Sequence, residues 1–507
     1  MNYMENIAFV NAISLSPYAF QSLPGIRSSF EAAVNAAHKL PGVARVVIAV
    51  GPDGAGDEFK RIAHDCEVQI LPDKSLTSLL RLLDGTCRGE CDIFYLYGDC
   101  PLIDEELAAR MHENHRRYFS EYTFADGYPS GLSAEILSSR VVKRLIALSE
   151  QYPSEVRRDS LFGLIQKDIN SFDLETEISP VDLRMLRVSL SADSKRNHLL
   201  LSRIIEAGGH DSASVIDIIQ TRPQILRTLP AFASIQITDG CPQACTYCPY
   251  PLTHDVLSSR DEMSLSDYRT ILSKLKEFAD DCTVSVSLWG EPSLHSDIRG
   301  IVAETTSIEG FSLIIETSGI GWTDEVLDAV LEASSGRVDW ILSLDAHERQ
   351  LYRSLRGQGF DEAFAFFDRV HSRFPSEVWV QAVRMKESEE KLEAFYRFFK
   401  EKIGDASKVI IQKYDSFCGL LPERKVTDLS PLMRFPCWHL KRDLSVLLDG
   451  TVILCREDIR KDHVLGNILS RPIDEIWRKG DEFYAAHIEK SYHELCRTCD
   501  EYYTFNF

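Results

Sequence analysis

The sequence lacks the features that define several large classes of protein. None of its apolar runs approaches the roughly 20 residues that a membrane-spanning helix requires, so we expect no membrane partner. Acidic residues outnumber basic ones by 77 to 56, for a formal net charge of −21, so we expect no nucleic-acid partner. No basic stretch precedes the first apolar run, 7–15. That run therefore reads as a buried strand and not as a signal peptide, which predicts a cytoplasmic protein.

Thirteen cysteines are the most informative part of the composition. In a chain without a secretion signal, they indicate metal or redox chemistry more than disulfides. Three of them, Cys241, Cys245 and Cys248, form a C-x3-C-x2-C array directly after a β-branched run. Three thiolates hold three irons of a [4Fe–4S] cluster and leave the fourth iron open to another ligand. A zinc knuckle, or three unrelated buried thiols, is the alternative interpretation.

This array resembles the signature of the radical S-adenosylmethionine (radical SAM) enzymes, including the aromatic Tyr247 before the third cysteine. The resemblance implies that Cys241, Cys245 and Cys248 bind a [4Fe–4S] cluster whose open iron chelates SAM, with Tyr247 at the cofactor. It implies cleavage of SAM to methionine and a 5′-deoxyadenosyl radical, which abstracts hydrogen from the substrate. An electron donor such as flavodoxin or ferredoxin is the implied partner.

Residues 228–416 alternate between strand-like and helix-like runs, with apolar residues at helical spacing in the latter. The expected strands are Ala233–Thr238, Thr283–Trp289, Phe311–Glu316, Val338–Leu344, Val378–Arg384 and Val409–Gln412. Six such units with parallel strands predict an incomplete (β/α)6 barrel of the TIM type. Such barrels carry their chemistry at the carboxyl ends of the strands.

Polar residues stand at the expected strand ends: Gly290 and Glu291, then Ser318, then Ser343 and Asp345. Glu291, beside a glycine that permits close approach, is suited to accept hydrogen bonds from the ammonium group of the bound methionine moiety. Ser343 and Asp345 are suited to the ribose and carboxylate-side groups of SAM, and Ser318 is a further expected cofactor contact. The alternatives are an acid near a helix N-cap for Glu291 and a structural turn for residues 343–345.

Residues 430–507 contain a second cysteine set, Cys437, Cys455, Cys496 and Cys499, whose spacing alone equally permits zinc. The intervening GNI and IDEIW segments resemble the SPASM/twitch extension of radical SAM proteins, which holds auxiliary [4Fe–4S] clusters. The resemblance implies one auxiliary cluster without an open iron, and therefore a role in accepting an electron from the substrate radical. Arg456 and Glu457 are candidates to face the active site from this side, or are simply solvated.

The first 215 residues predict a doubly wound α/β domain. Asp99, at the end of a strand in YGDCPLIDEE, is suited to hold magnesium on a nucleoside triphosphate. With YPSGLSAEI (Tyr128–Ile136), this segment resembles the GT-A-like cytidylyltransferases that activate acidic sugars. The phosphate loop departs from that pattern, with Ser22 for the arginine and Ile26 for the lysine. The second metal aspartate is expected near Ser191, where only Asp193 is close. We therefore predict a degenerate domain, with a retained nucleotide-binding role or a structural role left open.

The whole chain resembles the spiro-SPASM group of radical SAM proteins, with domains at 1–215, 228–416 and 430–507. This implies an oxidoreductase with two [4Fe–4S] clusters. A sugar or nucleotide-linked sugar, or a peptide modified by a maturase, is the expected substrate. The rival hypotheses are a nucleotidyltransferase with a regulatory iron–sulfur half and a noncatalytic binding scaffold. The remaining cysteines, including Cys282 and Cys418, are expected to be ordinary thiols.

Overall fold

The computed structural model of the chain describes residues 6–54, 56–257 and 259–504. Internal contacts divide the chain into two compact units, Met1–Thr228 and Leu229–Phe507, each with its own sheet and its own hydrophobic cores. Among the described helices, none has the length and apolar composition that crossing a bilayer requires.

The first unit alternates strands and helices. Its described strands are β1 (Asn6–Ala12), β2 (Val43–Val50), β3 (Glu67–Ile70), β4 (Asp92–Tyr97), β5 (Tyr122–Asp126), β6 (Glu135–Ser138) and β7 (Leu174–Ile178). Its described helices are α1 (Ser29–Lys39), α2 (Asp57–Ile62), α3 (Leu76–Thr86), α4 (Glu105–Arg117), α5 (Val142–Gln151), α6 (Ser160–Ile165), α7 (Lys195–Glu206) and α8 (Ser212–Thr221).

Seven strands form one sheet in the described part of this unit, in the order β3-β2-β1-β4-β6-β5-β7. Strands β1, β2 and β4 pair in parallel, and β6 runs antiparallel to β4 and to β5. Successive side chains of β1 enter opposite cores, with Ile7 and Phe9 in one and Ala8 and Val10 in the other. Helices cover both faces, so every residue of β1 is buried because neither of its faces meets water.

The second unit continues the alternation and ends in short elements. Its described strands are β8 (Phe232–Ile235), β9 (Cys282–Ser285), β10 (Phe311–Thr317), β11 (Val338–Ser343), β12 (Val378–Arg384), β13 (Val409–Lys413), β14 (Asp443–Val446), β15 (Thr451–Ile453) and β16 (Val464–Asn467). Its described helices are α9 (Tyr250–Leu257), α10 (Leu265–Ala279), α11 (Ile298–Ser307), α12 (Asp324–Ser334), α13 (Arg349–Arg356), α14 (Phe360–Arg373), α15 (Glu389–Ile403), α16 (Trp438–Arg442), α17 (Ile473–Ile488) and α18 (Glu494–Thr498).

Within residues 229–257 and 259–504, nine strands form one sheet in the order β13-β12-β11-β10-β9-β8-β14-β15-β16. Strands β8 to β13 are parallel neighbours in chain order, as in the partial barrel expected from the sequence. The α/β fold class is therefore confirmed. One feature was not predicted: β14 extends this sheet by pairing in parallel with β8, with Asp443 opposite Phe232. As a result, the hairpin of β14 and β15 brings the second cysteine set to the edge of the barrel next to the strand that precedes the first set.

Candidate metal centres

The loop that carries the first cysteine set follows β8 and is attached to the end of α13. The backbone N–H groups of Ala244 and Thr246 donate to the carbonyls of Arg356 and Leu355, at 3.1 and 2.8 Å. Cys241 is exposed, whereas Cys245 and Cys248 are half-buried. Desolvation raises the pKa of Cys241 to about 11 and of Cys248 to about 12, and the neighbouring cysteine sulfurs act in the same direction. The three thiols therefore lie close enough to interact, and binding a metal group here displaces protons.

A buried triad fixes the aromatic residue of this loop. The Tyr247 hydroxyl donates to Oδ2 of Asp345, and Nη1 of Arg356 donates to both, at 2.5 Å from the hydroxyl and 2.6 Å from the carboxylate. The other carboxylate oxygen of Asp345 accepts from the Val383 N–H at 2.8 Å. Burial raises the pKa of Tyr247 well above its usual value, so its phenol keeps its proton.

This triad bears on two expectations. Asp345 was expected to contact SAM. In the structure its Oδ2 belongs to the triad and its Oδ1 accepts from Val383 on β12, and contact with SAM stays a prediction. Arg353 and Arg356 follow the fourth expected strand, where the sequence allows them either to reach an anion or to be exposed helix charges. The structure buries Arg356 and leaves Arg353 exposed. The helical period could have indicated that Arg356 is buried, because Arg356 lies on the same face of α13 as the buried Tyr352 and Leu355.

Gly290 and Glu291 lie against the start of the cysteine loop. Gly290 has φ +84°, and a Cβ there would fall 2.4 Å from the Thr238 carbonyl oxygen. The Glu291 N–H donates to the Gly240 carbonyl at 2.9 Å, which ties the two loops together. The glycine is thus required both for its backbone angle and for the close approach of two backbones.

Glu291 is 3% exposed, and its carboxylate is held by the end of β10. One oxygen accepts from the Thr317 hydroxyl at 2.5 Å and the other from the Ser318 N–H at 2.8 Å. Burial raises the pKa of this carboxyl, and a bound ammonium group would restore its charged form. Ser318, expected as a cofactor contact, therefore positions Glu291 through its backbone.

Ser343 belongs to a second polar group at the neighbouring strand ends. Its hydroxyl donates to Oε1 of Glu316 at 3.0 Å, and Nε2 of Gln381 donates to Ser343 at 2.6 Å and to the same Glu316 oxygen. One residue from each of β10, β11 and β12 thus meets inside the barrel. Sequence reasoning missed Gln381 because it lies within an otherwise apolar strand.

The second cysteine set surrounds one cavity. All four cysteines line it: Cys437, Cys455, Cys496 and Cys499. The N–H groups of His439 and Leu440, at the start of α16, act on the Cys437 sulfur and lower its pKa against the larger effect of burial. The Glu501 N–H donates to the Cys499 sulfur at 3.3 Å. Hydrogen bonds of this kind stabilise ligated thiolates.

The spacing of the sulfurs distinguishes a cluster from a single ion. A tetrahedral zinc with Zn–S bonds of ≈ 2.3 Å brings its sulfurs within about 3.8 Å of one another. Among the described residues, no three cysteine sulfurs of either set lie within 4.8 Å of one another. An iron–sulfur cluster spreads its cysteines more widely because each binds a different iron. The donor sets at both sites are therefore compatible with iron–sulfur clusters.

Cys418 was expected to be an unrelated buried thiol, and the structure corrects this. Its thiol lies beside that of Cys499, and the interaction between them raises the pKa of Cys418 and lowers that of Cys499. Cys418 has φ +55°, and its carbonyl accepts from the Thr498 hydroxyl at 3.4 Å. It lies 78 or more residues before Cys496 and Cys499, so no local spacing could reveal the contact.

A single apolar cluster, here called the bridging cluster, extends from the first cysteine set to the strand that precedes Cys455. Its members are Tyr250, Leu257, Leu288, Trp289, Leu447, Ile453 and Ile459, with Cys248, Phe417 and Leu420 packed against them. Trp289 stacks on Tyr250 at 6.3 Å between ring centroids and contacts Phe417 at 5.8 Å. Phe417 directly precedes Cys418, and Ile453 lies two residues before Cys455.

Arg456 and Glu457 lie at the far end of the bridging cluster, where Arg456 is half-buried and Glu457 is buried. Arg456 donates to Asp415 at 3.1 Å and to Glu457 at 3.0 Å, and its guanidinium lies 5.8 Å from the Phe417 ring centroid. Glu457 is 4% exposed, and its Oε2 has no hydrogen-bond partner in the described part of the chain. A buried carboxylate oxygen in this state is available to a ligand.

Comparisons with known proteins agree with these two centres. A family model described as the radical SAM superfamily matches residues 235–399, which contain the first cysteine set. A model described as the SPASM iron–sulfur cluster-binding domain matches residues 437–500, which contain the second set.

Three similar proteins illustrate the extent of the match. An uncharacterised protein of Treponema pallidum is 38% identical over 360 residues, which are 68% of this chain and 98% of that protein. SuiB of Streptococcus suis bound to the precursor peptide SuiA is 12% identical, with a TM-score of 0.43 over 72% of this chain and 85% of that one. A cytidylyltransferase from Leptospira borgpetersenii is 15% identical, with a TM-score of 0.37 over 44% of this chain and 96% of that one.

Proposed function

The chain belongs to the radical SAM superfamily, and from that premise we propose that it catalyses a two-electron oxidation with an auxiliary [4Fe–4S] cluster as electron acceptor. The proposal keeps the radical SAM core at 228–416 and the auxiliary domain at 430–507. Its substrate is an alcohol or a thiol, in which the carbon that loses a hydrogen atom carries an oxygen or a sulfur that loses a proton. Hydrogen abstraction, loss of that proton and transfer of one electron together give the carbonyl or thiocarbonyl product.

The bridging cluster is the observation that supports this proposal. It packs against Cys248 at one end and reaches Ile453, beside Cys455, at the other. A continuous apolar contact between two cluster sites excludes water from the space in which a substrate radical has to survive. A purely structural auxiliary domain would not need its cysteines to lie at the end of such a contact.

The residues of the chain have separable tasks in this scheme. Cys241, Cys245 and Cys248 would hold the cluster that supplies the electron for SAM cleavage. Glu291, held by the end of β10, is placed to accept from the ammonium group of SAM. The Tyr247–Asp345–Arg356 triad orients the cysteine loop, and the Glu316–Ser343–Gln381 group offers polar atoms to the ribose.

On the auxiliary side, Cys437, Cys455, Cys496 and Cys499 would hold the second cluster, which supplies the acceptor for one electron. Arg456 is fixed by two carboxylates and so presents its charge in a constant position. We include Arg456 in the proposal as the residue that orients the substrate oxygen or sulfur. An external reductant such as flavodoxin is the proposed donor to the first cluster.

The proposal is tested with two sets of cysteine variants prepared without oxygen. Reconstituted wild type is expected to hold about eight irons, as two four-iron clusters, and to release 5′-deoxyadenosine with a strong reductant. Cys241→Ala/Cys245→Ala/Cys248→Ala should release none. Cys496→Ala/Cys499→Ala should retain release with about four irons, and Cys66→Ala in the first unit should behave as wild type.

Aminocyclitols, nucleotide sugars and serine- or cysteine-containing peptides are then screened for stimulation of 5′-deoxyadenosine release. A stimulating compound should lose two hydrogens with wild type and remain unoxidised with Cys496→Ala/Cys499→Ala. Oxidation at the wild-type rate by that variant would remove the acceptor role. Release by the triple variant would remove the radical SAM assignment of the loop.

A further inference from the structure

The first unit contains two carboxylates where its fold class implies a magnesium site, and an arginine lies between them. Asp99 lies two residues after the end of β4, and Asp193 directly precedes Ser194, the N-cap of α7. Nη2 of Arg158 donates to Oδ2 of Asp99 at 2.6 Å and lies 3.7 Å from Oδ2 of Asp193. The second carboxylate is therefore present at Asp193, two residues after the Ser191 position at which the sequence suggested its loss.

Arg158 is held in place from several directions. Its guanidinium stacks 4.7 Å from the ring centroid of Tyr97, and Nη1 donates to the Cys100 sulfur at 3.4 Å. The next residue, Asp159, donates its N–H to the Tyr97 hydroxyl at 3.0 Å. The position of Arg158 is thus fixed by the backbone hydrogen bond of the next residue to Tyr97, at the end of β4, as well as by its own ion pair with Asp99.

Asp193 is also engaged from its own element. Its Oδ2 accepts from the Ser191 hydroxyl at 2.8 Å, and its Oδ1 accepts from the Asn197 amide at 2.8 Å and from the Ser194 hydroxyl at 3.1 Å. Its orientation toward Arg158 is consequently fixed. The two acids and the arginine form one network of opposite charges.

These residues do not fit magnesium. Mg²⁺ demands oxygens at 2.0–2.1 Å in octahedral geometry, and it usually bridges carboxylates to phosphate. Here the face of Asp99 that a metal would use is bound by a guanidinium, whose positive charge also repels a cation. The triphosphate loop offers no compensation, because its exposed Arg27 pairs with the half-buried Glu31 at 3.4 Å.

We propose that Arg158 takes the place of the divalent cation and locks the first unit in a metal-free state. One positive charge between two carboxylates leaves the network with a net charge of −1. This charge repels a nucleoside triphosphate and disfavours its binding. The unit therefore does not transfer nucleotidyl groups. What it retains is the sheet of such a domain.

Mn²⁺ is the probe for this proposal, with binding to the full-length protein measured by EPR of the unbound ion. Wild type and Asp99→Asn are expected to give the same titration, because Asp99 binds no metal. Arg158→Gln, neutral and similar in size, should uncover a site that binds Mn²⁺ about tenfold more tightly or better. Arg158→Gln/Asp99→Asn should lose it again.

The matched control is Arg184→Gln. Arg184 also joins two aspartates of the same unit, Asp126 and Asp182, but is 60% exposed, so its loss should create no comparable site. Arg158→Lys keeps a positive charge and should remain without metal, which covers the case that the glutamine variant fails to fold. Wild-type Mn²⁺ binding that Asp99→Asn abolishes would overturn the proposal, as would metal binding by Arg158→Lys. Pyrophosphate release from CTP and a sugar acid by wild type would do the same.

Discussion

The ion pair between Arg356 and Asp345 is expected to be the point at which the cysteine loop is most easily disrupted. The two side chains are 5% and 1% exposed, and the N–O distance is 2.6 Å. Removing one partner of a buried pair leaves the other charge without compensation, at a cost of about 3–5 kcal/mol. Arg356→Met is therefore predicted to lower the unfolding free energy of the second unit by that amount.

The same substitution should release the loop itself. Arg356 holds the Tyr247 hydroxyl as well as Asp345, and its carbonyl accepts from Ala244 within the loop. Arg356→Met removes only the side-chain contacts, so the loop remains attached to α13 but Tyr247 loses its orientation. Denaturant titration of the anaerobic protein measures the stability. The iron retained after brief treatment with a chelator measures how firmly the loop holds its cluster, and about four of eight irons should be lost.

Arg349→Met provides the control, because Arg349 lies on the same helix and pairs with Asp361. Both of those side chains are largely exposed, at 61% and 75%, so the substitution should leave stability and iron content unchanged. The double variant Arg356→Met/Asp345→Leu removes both buried charges and should recover most of the lost stability without restoring iron retention. Equal stability of Arg356→Met and Arg349→Met, or strict additivity in the double variant, would refute the reasoning.

Two further predictions concern the neighbouring sites. Gly290→Ala should abolish iron retention in the first cysteine set, because the added Cβ would meet the Thr238 carbonyl. Gly336→Ala is the control, since Gly336 has φ +68° but nothing within 4 Å of an added Cβ, and it should retain its iron. Equal iron contents in the two variants would contradict this. Cys418→Ala should keep the auxiliary irons but lower the midpoint potential of that cluster, because the neighbouring Cys418 thiol stabilises negative charge on the Cys499 sulfur and so favours the reduced state. An EPR-monitored redox titration measures the shift, and an unchanged potential would exclude the contact as a tuning device.

The cysteine sets and the barrel strands could be predicted because their signals are local. The first set lies within eight residues, and Val378–Arg384 is a short apolar run whose length and composition already specify a buried strand. The fold class follows from the order of such runs. Strand ends were placed less well, as with the expected Thr283–Trp289, where the strand stops at Ser285 and the chain turns toward the cysteine loop.

The contacts that complete the sites could not be predicted because they join distant parts of the chain. Tyr247 and Asp345 are 98 residues apart, and Tyr247 and Arg356 are 109 apart. Periodicity places Arg356 on a helix but does not show what that helix packs against. Cys418 meets Cys499 only after β14 has joined the barrel sheet beside β8, a pairing for which no short segment carries a signal.

Two arginines, the buried Arg356 and the half-buried Arg158, show why a carboxylate at a strand end does not by itself identify a metal or ligand site. Asp345 follows β11 and Asp99 follows β4, and in each case an arginine from a later segment neutralises the acid. In the second unit the ion pair also binds the Tyr247 hydroxyl, so it holds the loop that carries the three cysteines. In the first unit the arginine reaches a second carboxylate and occupies the position that catalysis would require for a cation. The same kind of ion pair therefore supports the first cysteine set in the second unit and blocks the metal site in the first unit. The difference lies in the third group that each arginine contacts, which is Tyr247 for Arg356 and Asp193 for Arg158.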